Sequence, residues 1–331
     1  MQRSRRSGWR PLARLRESAA VTPKHPAPVK AQRAELAHGE SRADTPAAAP
    51  TAGRVLQKAS VHLAAVSDTP RVEAEVLLTH VVGWSRAALL AHPERSLSPA
   101  QAAQYRELVK ERAAGYPLPH LTGNIEFYGL DLMVTPEVLI PRPDTEVLVD
   151  LALERCPPSP EPSTIVDVGT GCGCIPIALA THLPEALIYA IDISPPALAV
   201  ARRNAEKHGV EKRIRFIVGD LLERRPGPAD LIVSNPPYVS ADEWTALPAS
   251  IRHHEPRLAL NGGPDGLEVI RRLLSQSQGL LKPGGALLIE IGASQGEAVK
   301  EIAETFFPHQ GIAIRVHPDL AGRDRVLEIQ T

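Results

Sequence analysis

The stretch from Thr164 to Thr181 restricts the possible folds more than any other part of the chain. Thr164-Ile165-Val166-Asp167-Val168 is a compact β-branched run, the pattern of a buried strand. Gly169-Thr170-Gly171-Cys172-Gly173 follows, and Ile175 to Thr181 continues as an apolar helix. Strand, glycine loop and helix in that order make a nucleotide-binding turn, because glycine lets the backbone come close to a ligand. The spacing is G-x-G-x-G. Cys174 stands where the dinucleotide pattern needs its third glycine, and no Gly-Lys-Ser/Thr is present, so the loop is not a P-loop.

The same alternation repeats downstream. Ala186 to Ile191 reads as a second strand ending at Asp192, whose carboxylate can bind both hydroxyls of a ribose. Asp167, one strand earlier, lies at the floor of the same loop. Ala197 to His208 is a helix carrying Asn204, and Arg213 to Val218 is a third strand ending in Gly219-Asp220-Leu221. Asp220 there can accept from an adenine amino group. A single aspartate at a strand end is usually a helix cap; three after successive strands favour a nucleoside site. Asp230 to Val233 is the fourth strand. A helix over Leu267–Leu281, a strand over Gly284–Gly292, a helix near 294–307 and strands at Ile312–Val316 and Val326–Ile329 complete the pattern. Alternating βα units imply an α/β fold, a parallel sheet with helices on both faces.

Ser234-Asn235-Pro236-Pro237-Tyr238 follows the fourth strand, at the carboxyl end where open α/β sheets place their chemistry. Pro236 biases Asn235 towards extended backbone, and neither proline can donate an N–H. The Asn235 side-chain oxygen and the Pro236 carbonyl remain as acceptors. Two acceptors side by side suit a planar –NH2 group with its two donors. The Tyr238 ring can lie against the flat face of that group. A plain Asn-Pro turn is the bland alternative.

The 331 residues leave room for two domains. Residues 1–53 differ from the rest: Arg3, Arg5, Arg6, Arg10, Arg14 and Arg16 precede the first acid, Glu17, and large apolar residues are sparse. This composition predicts a disordered basic tail. Arg-rich and acid-poor also describes a mitochondrial transit peptide, but a solvated extension or an early start codon is the favoured reading. Residues 54–115 predict a small helical domain. Pro70 opens and Gly83 closes one of its helices, Ser85 starts a short one, and Ser98-Pro99 begins another running towards Ala113. Its sharper role is to hold a macromolecular substrate over the second domain; its plain role is packing. Residues 116–144 form a connector. Tyr116 to Gly123, with two prolines and a glycine, is expected to be non-helical. Glu126 to Val134 reads as a hairpin, and Asp144 or Thr145 as the cap of a helix through Leu153. Phe127 and Tyr128 are core aromatics or a pocket wall. A net charge of -1 excludes a general nucleic-acid binder by charge alone. Three cysteines, Cys156, Cys172 and Cys174, form no disulfide framework and no metal site, and fit a reducing compartment. No apolar run approaches the length of a membrane helix.

Taken together these residues resemble the class I S-adenosylmethionine-dependent methyltransferases, and the flanking motifs resemble the HemK-type peptide chain release factor glutamine N5-methyltransferases. The flanks are Leu139-Ile140-Pro141-Arg142-Pro143-Asp144-Thr145-Glu146, Glu126-Phe127-Tyr128-Gly129, Glu255 to Leu260 with Gly262 to Gly266, and Ala321 to Arg325. The match runs from about residue 54 to the end. The sister family acting on a ribosomal protein has Pro-Arg-Ser-Pro where this chain has Pro-Arg-Pro-Asp, which favours release factors. The resemblance implies a Rossmann-like seven-stranded methyltransferase sheet with its last strand antiparallel, over 145–331, behind the helical domain and hairpin. It implies S-adenosyl-L-methionine as cofactor, with S-adenosyl-L-homocysteine as product, held by Asp167, Gly169, Thr170, Gly171, Cys172, Gly173, Asp192, Asp220, Leu221 and Asn235. Asn235, Pro236 and Tyr238 are the implied catalytic residues, and Asn235 to Tyr238 with Phe127, Arg142 and Glu255 the substrate pocket. For Arg142 and Glu255 a structural salt bridge is an equal alternative. The implied substrate is the glutamine of a release factor's Gly-Gly-Gln motif. A monomer in a bacterial-type cytoplasm is expected, with no stable nucleic acid or membrane partner. Competing readings are an adenine N6-methyltransferase on RNA or DNA, and a non-catalytic cofactor-binding regulator.

Overall fold

The computed structural model describes residues 49–156, 162–224 and 227–331. The expected basic tail therefore falls outside the described residues, except that Thr51 bridges Ser96 and residues 52 and 53 already belong to the first helix. Four helices come first: α1 (Ala52–Leu63), α2 (Pro70–Val82), α3 (Arg86–Ala91) and α4 (Pro99–Ala113). Their boundaries follow local chemistry. Pro70 starts α2 where its missing N–H costs nothing, and Gly83 ends it at φ 71°, a left-handed cap. Ser98 and Gln101 close a reciprocal capping box on α4. Leu56, Leu63, Leu77, Leu78, Leu89 and Tyr105 form the core between these helices.

The connector corrects one expectation. Leu118–Thr122 is a short helix, α5. Pro117 occupies its N-cap and Pro119 its second position, where neither interrupts a hydrogen bond, and Gly123 caps it at φ 78°. A hairpin follows, β1 (Asn124–Phe127) and β2 (Leu130–Met133), paired Phe127 to Leu130 across Tyr128-Gly129. Then come α6 (Glu146–Arg155), β3 (Thr164–Val168), α7 (Cys174–His182), β4 (Leu187–Asp192), α8 (Pro195–Lys207), β5 (Ile214–Val218) and β6 (Ala229–Ser234). After β6 lie α9 (Ala241–Ala246), α10 (Ala249–His254), α11 (Glu268–Ser277), β7 (Leu281–Glu290), α12 (Gly296–Phe306), β8 (Ala313–Pro318) and β9 (Asp324–Gln330).

The seven-stranded sheet has the order β5-β4-β3-β6-β7-β9-β8. Strands β3 to β7 pair in parallel, and β9 runs antiparallel to both β7 and β8. Alternate residues of each central strand bury on opposite faces. Ile165, Leu231 and Leu288 pack with Leu148 of α6, Ile177 of α7 and Val200 of α8. Val166, Ile232 and Leu287 pack with Ile270 and Leu273 of α11 and Val299 of α12. Strand β7 begins three residues before Gly284, and its register against β6 shifts between Ala229 and Leu231. The chain reverses its direction of winding between β3 and β6, so the ends of β3, β4 and β6 open onto one crevice.

Candidate active site

The glycine loop turns β3 into α7. Gly169, at φ 76°, and Thr170 both donate their N–H to the Ile191 carbonyl, tying the loop to the end of β4. Asp192 closes this turn from the other side. Its Oδ2 accepts from Gly171 N at 2.8 Å and its Oδ1 from Ser194 N at 2.8 Å. Burial pushes its carboxyl above the ordinary range. A pocket lies over these elements, lined in part by Gly169, Gly171, Asp192, Asp220, Leu221, Asn235 and Pro237. One Asp220 oxygen is already held by Arg272, 2.6 Å away. Leu221 lines the pocket with φ 50°, a backbone conformation uncommon for a branched residue.

Not every expected loop residue reaches that wall. Thr170 and Cys172 are buried beneath it, and Cys172 packs in the hydrophobic core. A Cβ on Gly173 would lie 3.1 Å from the Ala201 Cβ, so this glycine serves the close approach of α7 and α8. Asp167 sits under the loop, fully buried. Neither of its carboxylate oxygens makes a hydrogen bond among the described residues; burial pushes its carboxyl up to about 7, against the nearby Thr170 hydroxyl, which favours the charged form. Such a group is costly unless a ligand completes it.

A second pocket adjoins the first across Asn235. Asn235, Pro236, Tyr238, Leu139, Arg142, Leu247, Ile251 and Leu260 line it. Asn235, Leu139 and Ala259 belong to both walls. The Asn235 Nδ2 donates to the Thr145 hydroxyl at 3.1 Å, which turns its Oδ1 the other way. Thr145 holds the N-cap position of α6 as expected, but its side chain makes no capping hydrogen bond, and Asp144 pairs with Arg325 at 3.1 Å. The Tyr238 hydroxyl donates to Glu290 Oε1 at 3.2 Å, and Gln295 Nε2 donates to the Tyr238 carbonyl at 3.0 Å. Arg142 Nη2 meets Glu255 Oε1 at 2.5 Å, and Glu255 Oε2 also accepts from Ile140 N at 3.1 Å. Glu255 is buried, while Arg142 reaches the pocket surface. Phe127 is not at either wall. It is 1% exposed, in the core behind β3, and Tyr128 bonds Asp150 at the surface. Sequence reasoning missed Thr145, Glu290 and Gln295 as neighbours of Asn235 and Tyr238. A buried glutamate at the end of the fifth parallel strand was the available signal for Glu290.

Two family models match the chain: the PrmC N-terminal domain over residues 54–123 and the methyltransferase small domain over 145–263. A release factor glutamine methyltransferase from Moorella thermoacetica is 50% identical over 259 residues, 78% of this chain and 90% of that protein. The chain belongs to the release factor glutamine methyltransferases. Another such protein, from Koribacter versatilis, is 41% identical over 280 residues, 84% of this chain and 97% of its own length. The catalytic domain of hMettl16, solved with an RNA hairpin, is 16% identical with a TM-score of 0.50 over 70% of this chain and 81% of that one. That likeness shows the methyltransferase fold alone.

Proposed function

We propose that this methyltransferase moves a methyl group from S-adenosyl-L-methionine to the side-chain amide nitrogen of a glutamine in peptide chain release factors, the glutamine of their Gly-Gly-Gln motif. One observation carries the reading: Asn235 belongs to the walls of two adjoining pockets, with its amide N–H engaged by Thr145 and its oxygen left for a ligand. The first pocket suits the cofactor. Gly169 and Gly171 admit a close approach and Asp192 stands at a ribose position. Asp167 lies beneath this wall with both oxygens buried, and in this reading its charge acts on the cofactor's cationic amino group from under the loop. When bound, S-adenosylmethionine supplies an electrophilic methyl on a sulfonium.

The remaining work falls to residues of the chain. An amide nitrogen is a poor nucleophile, because resonance holds its lone pair; the amide rotation barrier of ~18–20 kcal/mol shows the scale. Asn235 Oδ1 and the Pro236 carbonyl accept the two N–H bonds of the glutamine amide and aim its nitrogen. Those two bonds contribute about 1–3 kcal/mol net. Alignment of the reactants can supply ~7–11 kcal/mol, so placement dominates. The same two oxygens stabilise positive charge growing on the nitrogen, which then gives one proton to water. Arg142, held by Glu255, lines the mouth through which the glutamine would enter.

Helices α1 to α5 hold the release factor in this reading, and the protein works as a monomer in the cytoplasm without a nucleic-acid partner. Incubation with methyl-labelled S-adenosylmethionine and either a release factor or its Gln→Ala variant tests the proposal. Label should enter the first protein only; equal labelling of both, or labelling of RNA, overturns it.

A further inference from the structure

A third cavity lies where the helical domain meets the catalytic domain. Its volume is about 290 Å³, near the lower end of the range for ligand sites, roughly 300–1,000 Å³. Arg112 of α4 and Pro117 and Pro119 of α5 form one wall. Ser250 and Ile251 of α10, with Glu255 at its end, form another, and Ile125 of β1 and residues 140–143 complete the lining. Arg142 and Ile251 also line the pocket at Asn235, so the two spaces adjoin. Neither residue lines the cofactor pocket.

The chemistry of the walls selects the occupant. The three charged side chains are already engaged. Arg112 meets both oxygens of Glu73, at 2.7 and 3.1 Å. Arg142 meets Glu255 at 2.5 Å, and the second Glu255 oxygen accepts from Ile140 N. Four lining residues are prolines, which supply no N–H. The carbonyls of Pro117, Pro119 and Pro143 accept bonds within their own turns. Ile125, Ile140 and Ile251 add apolar surface, and Ser250 offers one neutral hydroxyl. A charged group entering this cleft would lose its water without a free counter-charge, whereas an apolar one gains by leaving water. We propose that the cleft binds an apolar side chain of the release factor, carried just after the methylated glutamine. The proposal rests on the function given above. The Gly-Gly-Gln motif decides the direction, because the two residues before the glutamine carry no side chain. At ~3.3–3.6 Å per residue, the first side chain on the amino side is roughly 10 Å away along the chain. On the carboxyl side it is one residue away, which suits a cleft that shares walls with the glutamine pocket.

The test pairs the full-length enzyme with full-length release factor. The three residues after the glutamine, and the three before the glycine pair, are each changed in turn to leucine and to aspartate. At one position after the glutamine, aspartate should raise KM roughly 10-fold over leucine, the scale of one buried apolar side chain. No position before the glycines should do so. Ser250→Trp fills the cleft from α10, and Ser250 does not line the glutamine pocket. This variant should raise KM for the unaltered release factor by a similar factor and erase the difference between leucine and aspartate. Its cofactor Kd should stay within about threefold, a span worth less than the net value of one hydrogen bond. Pro119→Trp, which enters the same cleft from α5, replaces it if Ser250→Trp does not fold. Equal KM at every position, or a difference confined to the amino side, overturns the proposal. So does a difference that persists unchanged in the filled variant, since the contact then lies elsewhere. If the parent enzyme leaves the glutamine of the unaltered release factor unmethylated, the function proposed above fails, and the assignment of the cleft fails with it.

Discussion

Asn235 and Asp167 ask opposite things of a ligand: one offers a neutral oxygen, the other a buried carboxylate without partners. Asn235→Ala should lower kcat on the order of 100-fold, the usual scale for a lost transition-state contact, and change cofactor Kd far less. Equilibrium dialysis beside single-turnover rates separates the two; a collapse of cofactor binding with unchanged turnover per bound cofactor would refute the role. For Asp167 the prediction is a pH profile. Burial holds its carboxyl up to about 7 in the protein without ligand. Below that pH the group is protonated, whereas a cationic amino group needs it ionised. Cofactor affinity should therefore rise by up to about tenfold per pH unit below 7 and level off above it. Stability runs the other way. A carboxyl raised on folding binds its proton more tightly in the folded state, so the free protein loses stability as pH climbs from the ordinary carboxylate range to about 7. Asp167→Asn should flatten both trends in calorimetry and thermal melts. Persistence of the slope through pH 7 in that variant would assign it to another group.

At the scale of elements, loops decide the precision of the site. Residues 262–266 run directly over Tyr238. Gly262 N donates to the Val239 carbonyl, and Gln295 Nε2 bridges the carbonyls of Tyr238 and Gly266 at 3.0 and 3.3 Å. A Cβ on Gly266, which has φ 77°, would come within 2.4 Å of the Tyr238 oxygen and 2.8 Å of Gln295 Nε2. Gly266→Ala should cost at least about 1–3 kcal/mol from its backbone strain alone, read as a lower Tm. The clash also moves Tyr238, so turnover should fall in protein that remains folded. Helix α5 shows how two prolines fit into a helix when they occupy its first turn. Composition alone argued against a helix there; position within the turn decided otherwise.

For the whole molecule, stability gathers where α6 meets the antiparallel end of the sheet. Glu328 of β9 is fully buried and bonds Arg155 of α6 and His317 of β8, the latter at 2.7 Å. Burial acts against its charge, but the Arg155 and His317 hydrogen bonds outweigh it and hold its carboxyl below the usual range. Glu328→Ala leaves Arg155 without that partner and should cost about 3–5 kcal/mol in a denaturant melt. Cofactor occupancy should act in the opposite sense: at ~100 times Kd it adds about 2.7 kcal/mol, visible as a higher Tm that scales with ligand concentration. The strand–loop–strand series and the acid at the end of β4 were legible in residues 164–234, because periodicity and strand ends are properties of adjacent residues. So was the Asn235 turn. The sequence by itself thus determined an α/β methyltransferase sheet with a polar turn at its carboxyl edge. Only the tertiary structure decided which distant side chains meet there. Thr145 reaches Asn235, Glu290 reaches Tyr238, and Phe127 and Cys172 go to the core. The physical reason is the strand order: β6 lies between β3 and β7, and packing a parallel sheet on both faces joins residues from three separate segments that no local pattern relates.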